Sequence, residues 1–303
     1  MKLLLLVNAS ASAVTARGRV VIQKALSADH EVTTAETSRR GHASRLAQGA
    51  AADGVDVVVV LGGDGTLNEA ANGLAGTATA LGVLPGGSTN VFARTIGTPA
   101  DPIEATGSLL AALGRGSVRP IGLGSVNGRY FLFHVGVGFD AAVVAQVERR
   151  AELKRYAGHP LFVWAAFATW FRHYDRSRPR FSVRHEPGDV VDDGYMTVVQ
   201  NTNPYTYLGS RPLDTAPDAG LDRALTAFTY RAVDARTLLS SVVAALRGGG
   251  VRKVRKIAYR ADLSGVEITG YGPVPYQVDG DYLGDVESLR FRYEPDALRL
   301  VVP

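Results

Sequence analysis

Gly62-Gly63-Asp64-Gly65-Thr66-Leu67-Asn68-Glu69 is the stretch whose reading decides the fold. It follows an apolar run, Val55 to Leu61, broken only by Asp56. A run so rich in β-branched residues predicts a parallel strand buried on both faces. Leu67, Ala70, Ala71 and Leu74 then recur at helical spacing, which predicts a helix. The glycines therefore occupy a tight strand-to-helix turn, where the lack of a Cβ permits close backbone approach. Free N–H groups at such a turn, with a helix N-terminus behind them, suit a phosphate anion. Asp64 stands at the same tip, where a carboxylate binds Mg²⁺ or accepts a proton. A purely structural reading competes: Thr66 and Glu69 have the spacing of a capping box, which would give both a local role.

Composition bounds the alternatives. A chain of 303 residues has room for two domains, and 46% hydrophobic against 20% charged residues supports a sizeable core. There is no cysteine, so disulfides, thiolate catalysis and Cys-ligated zinc are excluded. The six histidines show no metal-ligand spacing. A net charge of +4 and a pI near 9.3 fit weak attraction to anionic surfaces and do not single out nucleic acid. Met1 to Val7 is too short an apolar core for a signal peptide and is read as the first strand. No stretch approaches ~18 uninterrupted apolar residues, the length of a helical span. A cytoplasmic protein is expected.

Outward from the octet, strands and helices alternate. Leu3 to Val7 runs into the polar turn Asn8-Ala9-Ser10-Ala11-Ser12, Glu31 to Glu36 ends at Thr37, and a helix follows from Gly41 to about Ala52. Ala80 to Leu84 runs into Pro85-Gly86-Gly87-Ser88-Thr89-Asn90. This alternation predicts a parallel sheet with right-handed crossovers, whose ligands bind at the carboxyl ends of the strands. Asn8–Ser12, Thr37, Gly62–Glu69 and Gly87–Asn90 all fall on that edge.

Near Arg119 the pattern changes to hairpins. Asn127-Gly128 between strand-like segments is a type I′ signal. Gly136-Val137-Gly138-Phe139-Asp140 precedes a helix read from Ala141 to about Arg155, with Asp140 as its N-cap. Leu161 to Phe171 carries five aromatic residues with arginines behind them, the composition of an interfacial helix or of one that packs on a sheet. Arg252-Lys253-Val254-Arg255-Lys256 is the densest basic cluster, suited to a guarded strand edge or to anionic lipid. From about Arg180 to Val302 short strand-like runs predominate, with one helix from Ala235 to Leu246, which predicts a sandwich-like β domain.

The octet resembles the signature of the diacylglycerol kinase catalytic-domain family, which includes bacterial lipid kinases and sphingosine kinases, and more distantly that of NAD kinases. Pro85 to Arg94 resembles the family's second signature, with Val91 in place of an Asp. Asn8–Ser12 is similar to its nucleotide turn, with Ala9 in place of Pro. Gly136–Asp140 is similar to a family run that borders the interdomain cleft, which leaves a lipid-side role open. Val278-Asp279-Gly280-Asp281 matches an Asp-Gly-Glu, with Asp281 for the Glu. Thr215 to Asp222 resembles a segment that holds a structural Mg²⁺, with Ala219 for an Asp.

The resemblance implies an α/β plus β architecture. A parallel α/β nucleotide-binding domain would occupy residues 1–118 and a β-sandwich-like lipid domain residues 119–288. A terminal hairpin over 289–303 would return to the first domain, with the active site in the interdomain cleft. It implies an ATP- and Mg²⁺-dependent lipid kinase making phosphatidic acid from diacylglycerol or a similar lipid. Asn8, Ala9, Ser10, Ser12, Thr37, Gly62, Gly63, Asp64, Gly65, Thr66, Leu67, Asn68, Glu69, Gly87, Ser88 and Asn90 would serve the nucleotide. Asp279 would be the catalytic base, with Asp64 its competitor, and Asp214, Asp218 and Leu221 would hold the structural metal. The expected partner is a lipid at the inner, anionic membrane surface and not nucleic acid; a homodimer is left open. The alternatives are a long-chain-base kinase, an NAD kinase-like enzyme with a soluble substrate, and an inert lipid-binding protein.

Overall fold

The structure, a computed structural model, describes residues 1–149, 168–169 and 174–303. The aromatic stretch from Leu161 to Phe171 falls almost wholly outside the described residues, as does the helix end expected near Arg155. Two compact units result: Met1–Leu123 with Glu294–Pro303, and Gly124–Tyr293.

In the first unit the predicted alternation holds. Strands β1 (Lys2–Val7), β2 (Glu31–Glu36), β3 (Val57–Gly62) and β4 (Ala80–Pro85) are parallel, in the order β2-β1-β3-β4. Helices α1 (Ala16–Leu26), α2 (His42–Ala52), α3 (Asp64–Leu74), α4 (Val91–Thr95) and α5 (Pro102–Gly114) connect or follow them. Every residue of β3 and β4 is buried, as the unbroken apolar runs require of central parallel strands. Leu3, Leu5, Val57, Val59 and Leu61 share a core with Ile22 and Leu26 of α1 and Leu109 of α5. Helices α2 and α3 approach closely because Gly73 has no side chain: a Cβ there would stand 2.3 Å from the Ser44 carbonyl oxygen.

Between the alternating part and the hairpins, β5 (Val118–Val126) meets β6 (Arg129–Phe131) across Asn127 and Gly128, both at positive φ. This is the type I′ turn read from the dipeptide. The second unit continues with β7 (His134–Gly138) and α6 (Phe139–Glu148). Strands β8 (Phe181–Glu186), β9 (Val190–Gly194), β10 (Met196–Gln200), β11 (Thr206–Leu208), β12 (Arg211–Leu213) and β13 (Leu225–Tyr230) follow. Then come α7 (Ala235–Leu246), β14 (Ile257–Leu263), β15 (Gly265–Val278) and β16 (Asp281–Val301). The order β14-β13-β10-β7-β15-β16 is antiparallel throughout. Phe131, Phe181, Phe291, Val266 and Ile268 anchor its core.

Two expectations are corrected. The helix after β7 starts at Phe139 with Gly138 as N-cap, so Asp140 lies inside the first turn and caps nothing. The expected terminal hairpin is instead the end of a single strand, β16. Its first part pairs antiparallel with β15 in the second unit, and Arg299 and Leu300 pair parallel with Ala80 and Leu81 in the first. Alternating apolar residues such as Leu298 and Leu300 are buried there, which a strand satisfies without a turn.

Candidate active site

In the first unit the carboxyl ends of the parallel strands carry the predicted loops. The two glycine turns lie against each other: the Gly86 N–H donates to the Gly62 carbonyl at 2.8 Å. A Cβ on Gly87 would stand 2.8 Å from the Gly63 Cα, and one on Gly62 would stand 3.0 Å from the Thr66 Cβ. These glycines are therefore demanded by loop-on-loop contact as well as by any phosphate.

Asp64 is the first residue of α3, and its carboxylate reaches out of that helix. Its Oδ2 accepts the Val91 N–H at 2.9 Å and its Oδ1 the Phe92 N–H at 3.1 Å. It thereby caps α4, whose own N-cap residue, Asn90, supplies no side-chain cap and sits at φ 49°. Burial raises the Asp64 pKa against the pull of the two N–H donors. Val91, the residue standing where the family has an Asp, meets Asp64 through its backbone.

The capping box does not form. The helix begins two residues before Thr66, and Thr66 Oγ1 instead accepts from Asn8 Nδ2 at 2.9 Å. Glu69 crosses to α2, whose Gly41 and Ala43 N–H groups donate to it at 2.7 and 3.2 Å. Asn8 Oδ1 accepts the Ser10 N–H at 3.1 Å, and the Thr37 N–H donates to the Val7 carbonyl at 2.9 Å. Asn90 closes its own loop by a reciprocal pair of 2.8 Å bonds with the Gly87 backbone. Ala9, Ser10, Ser12 and Ser88 are exposed at this edge, whereas Leu67 and Asn68 are buried within α3, where they hold the turn from behind.

The second unit places Asp279 at the β15–β16 turn, at φ 48°, followed by Gly280 at φ 84°. The turn is an ordinary type I′ hairpin, and its carboxylate does something no turn requires. Asp279 Oδ2 accepts the Leu132 N–H at 2.7 Å, and its Oδ1 accepts those of Phe133 and His134 at 3.0 Å each. The Asp279 N–H returns a bond to the His134 carbonyl at 2.9 Å.

From His134 the contacts lead to an apolar cavity of about 540 Å³. The His134 ring stacks on Tyr205 with centroids 4.2 Å apart. Tyr205, Asp140, Met196, Phe228, Leu238 and Val242 are among the residues lining the cavity. Tyr205 donates its hydroxyl to Asp140 Oδ1 at 2.5 Å, and Gln277 Nε2 donates to Asp140 Oδ2 at 2.9 Å. Burial pushes the Asp140 carboxyl up against both donors. Gly136 makes room for this carboxylate, since a Cβ there would stand 1.6 Å from Asp140 Oδ2. The Gly-x-Gly-Phe-Asp run thus carries a physical demand that its spacing alone does not reveal. Tyr205 and His134 escape a reading of the sequence because they come from separate strands and loops.

His134 is buried, with Nδ1 unpartnered, and burial pushes its pKa down to about 3. Below about pH 6.5, the usual value for this group, the unfolded chain takes up a proton that the folded chain refuses. Stability is therefore full above that pH and falls as pH drops toward 3, by up to about 1.4 kcal/mol per unit. Denaturant midpoints measured between about pH 7 and pH 5 should show this acid limb in the wild type. His134→Phe, which keeps the aromatic stack, should flatten it.

The structural metal that the resemblance implies does not fit. Asp214 Oδ1 accepts from Asn203 Nδ2 at 2.9 Å. Asp218 accepts the Tyr259 hydroxyl at 2.8 Å, with Arg223 and Arg252 within 4 Å. Two guanidinium groups already balance Asp218, and Leu221 stands in a turn. Among the described residues no group of three His, Asp or Glu side chains is arranged to hold a metal.

The chain has relatives of known name. The sequence profile described as diacylglycerol kinase catalytic domain matches residues 2–126. The Pseudomonas aeruginosa (strain UCBPP-PA14) protein named "Probable lipid kinase YegS-like" is 31% identical over 288 residues, 94% of this chain and 89% of that one. The chain belongs to the diacylglycerol kinase catalytic-domain family. It is a lipid kinase. The Bacillus subtilis (strain 168) protein named "Diacylglycerol kinase" is 41% identical over 120 residues, a match confined to 39% of each chain. A solved diacylglycerol kinase structure from Bacillus anthracis str. Sterne shares the fold, with a TM-score of 0.77 and 22% identity over 100% of this chain and 97% of that one. Among the described residues no helix of this lipid kinase is long and apolar enough to cross a membrane.

Proposed function

We propose that this lipid kinase transfers the γ-phosphate of ATP to the hydroxyl of diacylglycerol or a similar glycerolipid, giving phosphatidic acid or its counterpart. The observation that carries the reading is the cavity: its wall is apolar, its volume falls in the range of small-molecule sites, and its contacts lead through Tyr205 and His134 to Asp279. An acyl chain gains from such a wall, whereas a dinucleotide would lose the solvation of its charges.

Phosphoryl transfer asks for positioning and charge neutralisation more than covalent help. The N–H groups of Gly62–Thr66 and of the Gly87–Asn90 loop would face the phosphates. Asp279 takes the proton of the lipid hydroxyl as its oxygen bonds to the γ-phosphorus, and the bond to the β–γ bridging oxygen breaks to release ADP. Each oxygen of Asp64 accepts one N–H and retains a lone pair, a donor set that fits an ion held mainly by phosphates and one carboxylate. Mg²⁺ there would neutralise phosphate charge.

Transfer of labelled γ-phosphate from ATP, with Mg²⁺, to diacylglycerol, sphingosine and NAD in mixed micelles tests the reading. Labelled phosphatidic acid is expected; label in NAD alone would overturn it. Label in sphingosine would favour the long-chain-base reading, which has its own support, because a buried Asp140 carboxylate would pair with an amine. Ala245 is buried and lines the cavity, so Ala245→Phe takes volume from the tail. The variant should raise KM for long-chain diacylglycerol on the order of tenfold, the worth of a few buried methylenes. KM for ATP should not move.

A further inference from the structure

Helix α7 is built inside out. Its buried positions include the small or hydroxylated Thr237, Ser241 and Ala245, whereas Leu239, Val242, Val243 and Leu246 are 66%, 43%, 38% and 41% exposed. These four recur at i, i+3, i+4 and i+7, so they form one stripe along the helix. A globular domain would turn such a stripe inward. Leu239 and Val242 also line the apolar cavity, so its wall continues without a polar break into the outward-facing stripe.

The charge around the stripe is of one sign. From Ala235 to Lys256 the chain carries six basic residues and no acidic one. Arg236 and Arg247 flank the stripe on the helix, and Arg252, Lys253, Arg255 and Lys256 follow in the next loop, all exposed. Lys256 pairs with Asp234 at 3.0 Å and Arg252 lies 3.8 Å from Asp218. Arg236, Arg247, Lys253 and Arg255 have no acidic partner among the described residues. An apolar stripe bordered by unpaired cations is complementary to a bilayer carrying anionic headgroups.

We infer that α7 lies in the interface of an anionic bilayer, stripe inward, and that lipid enters the cavity past Leu239 and Val242. The inference rests on the proposed reading, in which the cavity takes a membrane lipid, and adds the surface through which the lipid is collected. It assigns the 252–256 cluster to the same face.

The test uses the whole chain and two variants off the cavity wall. Val243→Gln with Leu246→Gln removes apolar contact, and Arg236→Gln with Arg247→Gln removes charge. Co-sedimentation with phosphatidylcholine vesicles, with and without phosphatidylglycerol, reads binding without turnover. Wild type should bind the anionic vesicles preferentially. The apolar pair should weaken that binding on the order of tenfold, and the arginine pair by about fivefold per charge. Turnover of a dispersed short-chain diacylglycerol should remain at the wild-type level in both, showing that they fold.

Unchanged vesicle binding in both variants, or equal wild-type binding to neutral and anionic vesicles, would overturn the inference. So would a stripe that joins two copies, seen as a dimer that the apolar pair dissolves without loss of vesicle affinity. Failure of the kinase reading looks different: no label in any glycerolipid, with stripe-dependent binding intact.

Discussion

Asp279→Asn is expected to lower kcat by about a thousandfold, the usual worth of a positioned proton acceptor. The amide cannot accept the lipid proton, whereas ATP binding and vesicle binding should persist. Stability should also fall, because three backbone N–H groups converge on this carboxylate. An asparagine can keep its oxygen toward Phe133 and His134, but its NH₂ then faces the Leu132 N–H. One unsatisfied donor and one lost charge-assisted bond cost about 1–3 kcal/mol. The measurement is therefore kcat and thermal unfolding on the same preparation. A folded variant with wild-type kcat would remove Asp279 from the chemistry and leave it as the anchor of the 132–134 loop. Asp64→Asn, in parallel, should raise KM for ATP as α4 and the Gly87–Asn90 loop lose their cap.

Gly86→Ala should be strongly damaging, because the added methyl group lands on the backbone of the facing turn. The added Cβ would stand 2.8 Å from the Gly62 nitrogen and 2.9 Å from both the Gly62 Cα and Val14 Cγ2. Two of the three obstacles are backbone, which cannot rotate away, so the turns must part. Overpacking of this kind costs about 3 kcal/mol, a fall in Tm of roughly 5 °C for a chain of this size. Nucleotide affinity should fall with it if, as proposed, the displaced turn faces the phosphates. Gly107→Ala is the control: nothing lies within 4 Å of its Cβ position in α5, and the substitution should stabilise by about 0.5–1 kcal/mol. Equal effects of the two substitutions would show that the loops do not touch as described.

Much of the molecule is legible in its sequence. The buried strands β3 and β4, the helix from Ala235 to Leu246, the Asn127-Gly128 hairpin and the Asp279-Gly280 turn follow from periodicity and turn chemistry. The exposed edge carrying Asn8, Ser10, Thr37 and Ser88 follows from strand–helix alternation. The misreadings share a cause. Asp140 was expected as an N-cap because Asp before a helix usually is one, and the competing capping-box reading of Glu69 arose because its spacing to Thr66 is right. Each instead reaches a partner distant in the chain: Asp140 reaches Tyr205 and Gln277, and Glu69 reaches the start of α2.

What the sequence by itself determined is what neighbours in the chain decide: strand or helix, the hand of a turn, the absence of thiol chemistry, and the family signatures. Only the tertiary structure decided where the carboxylates point. Asp64 finds its donors 27 and 28 residues away, and Asp279 finds its own 145 to 147 residues away. The cavity and the outward stripe of α7 are likewise products of packing, since Leu239 and Leu238 read alike in sequence, while one is exposed and the other is half-buried against the core. A short-range pattern constrains backbone dihedrals and faces; which buried donor meets which acceptor is settled only when distant segments compete for the same space.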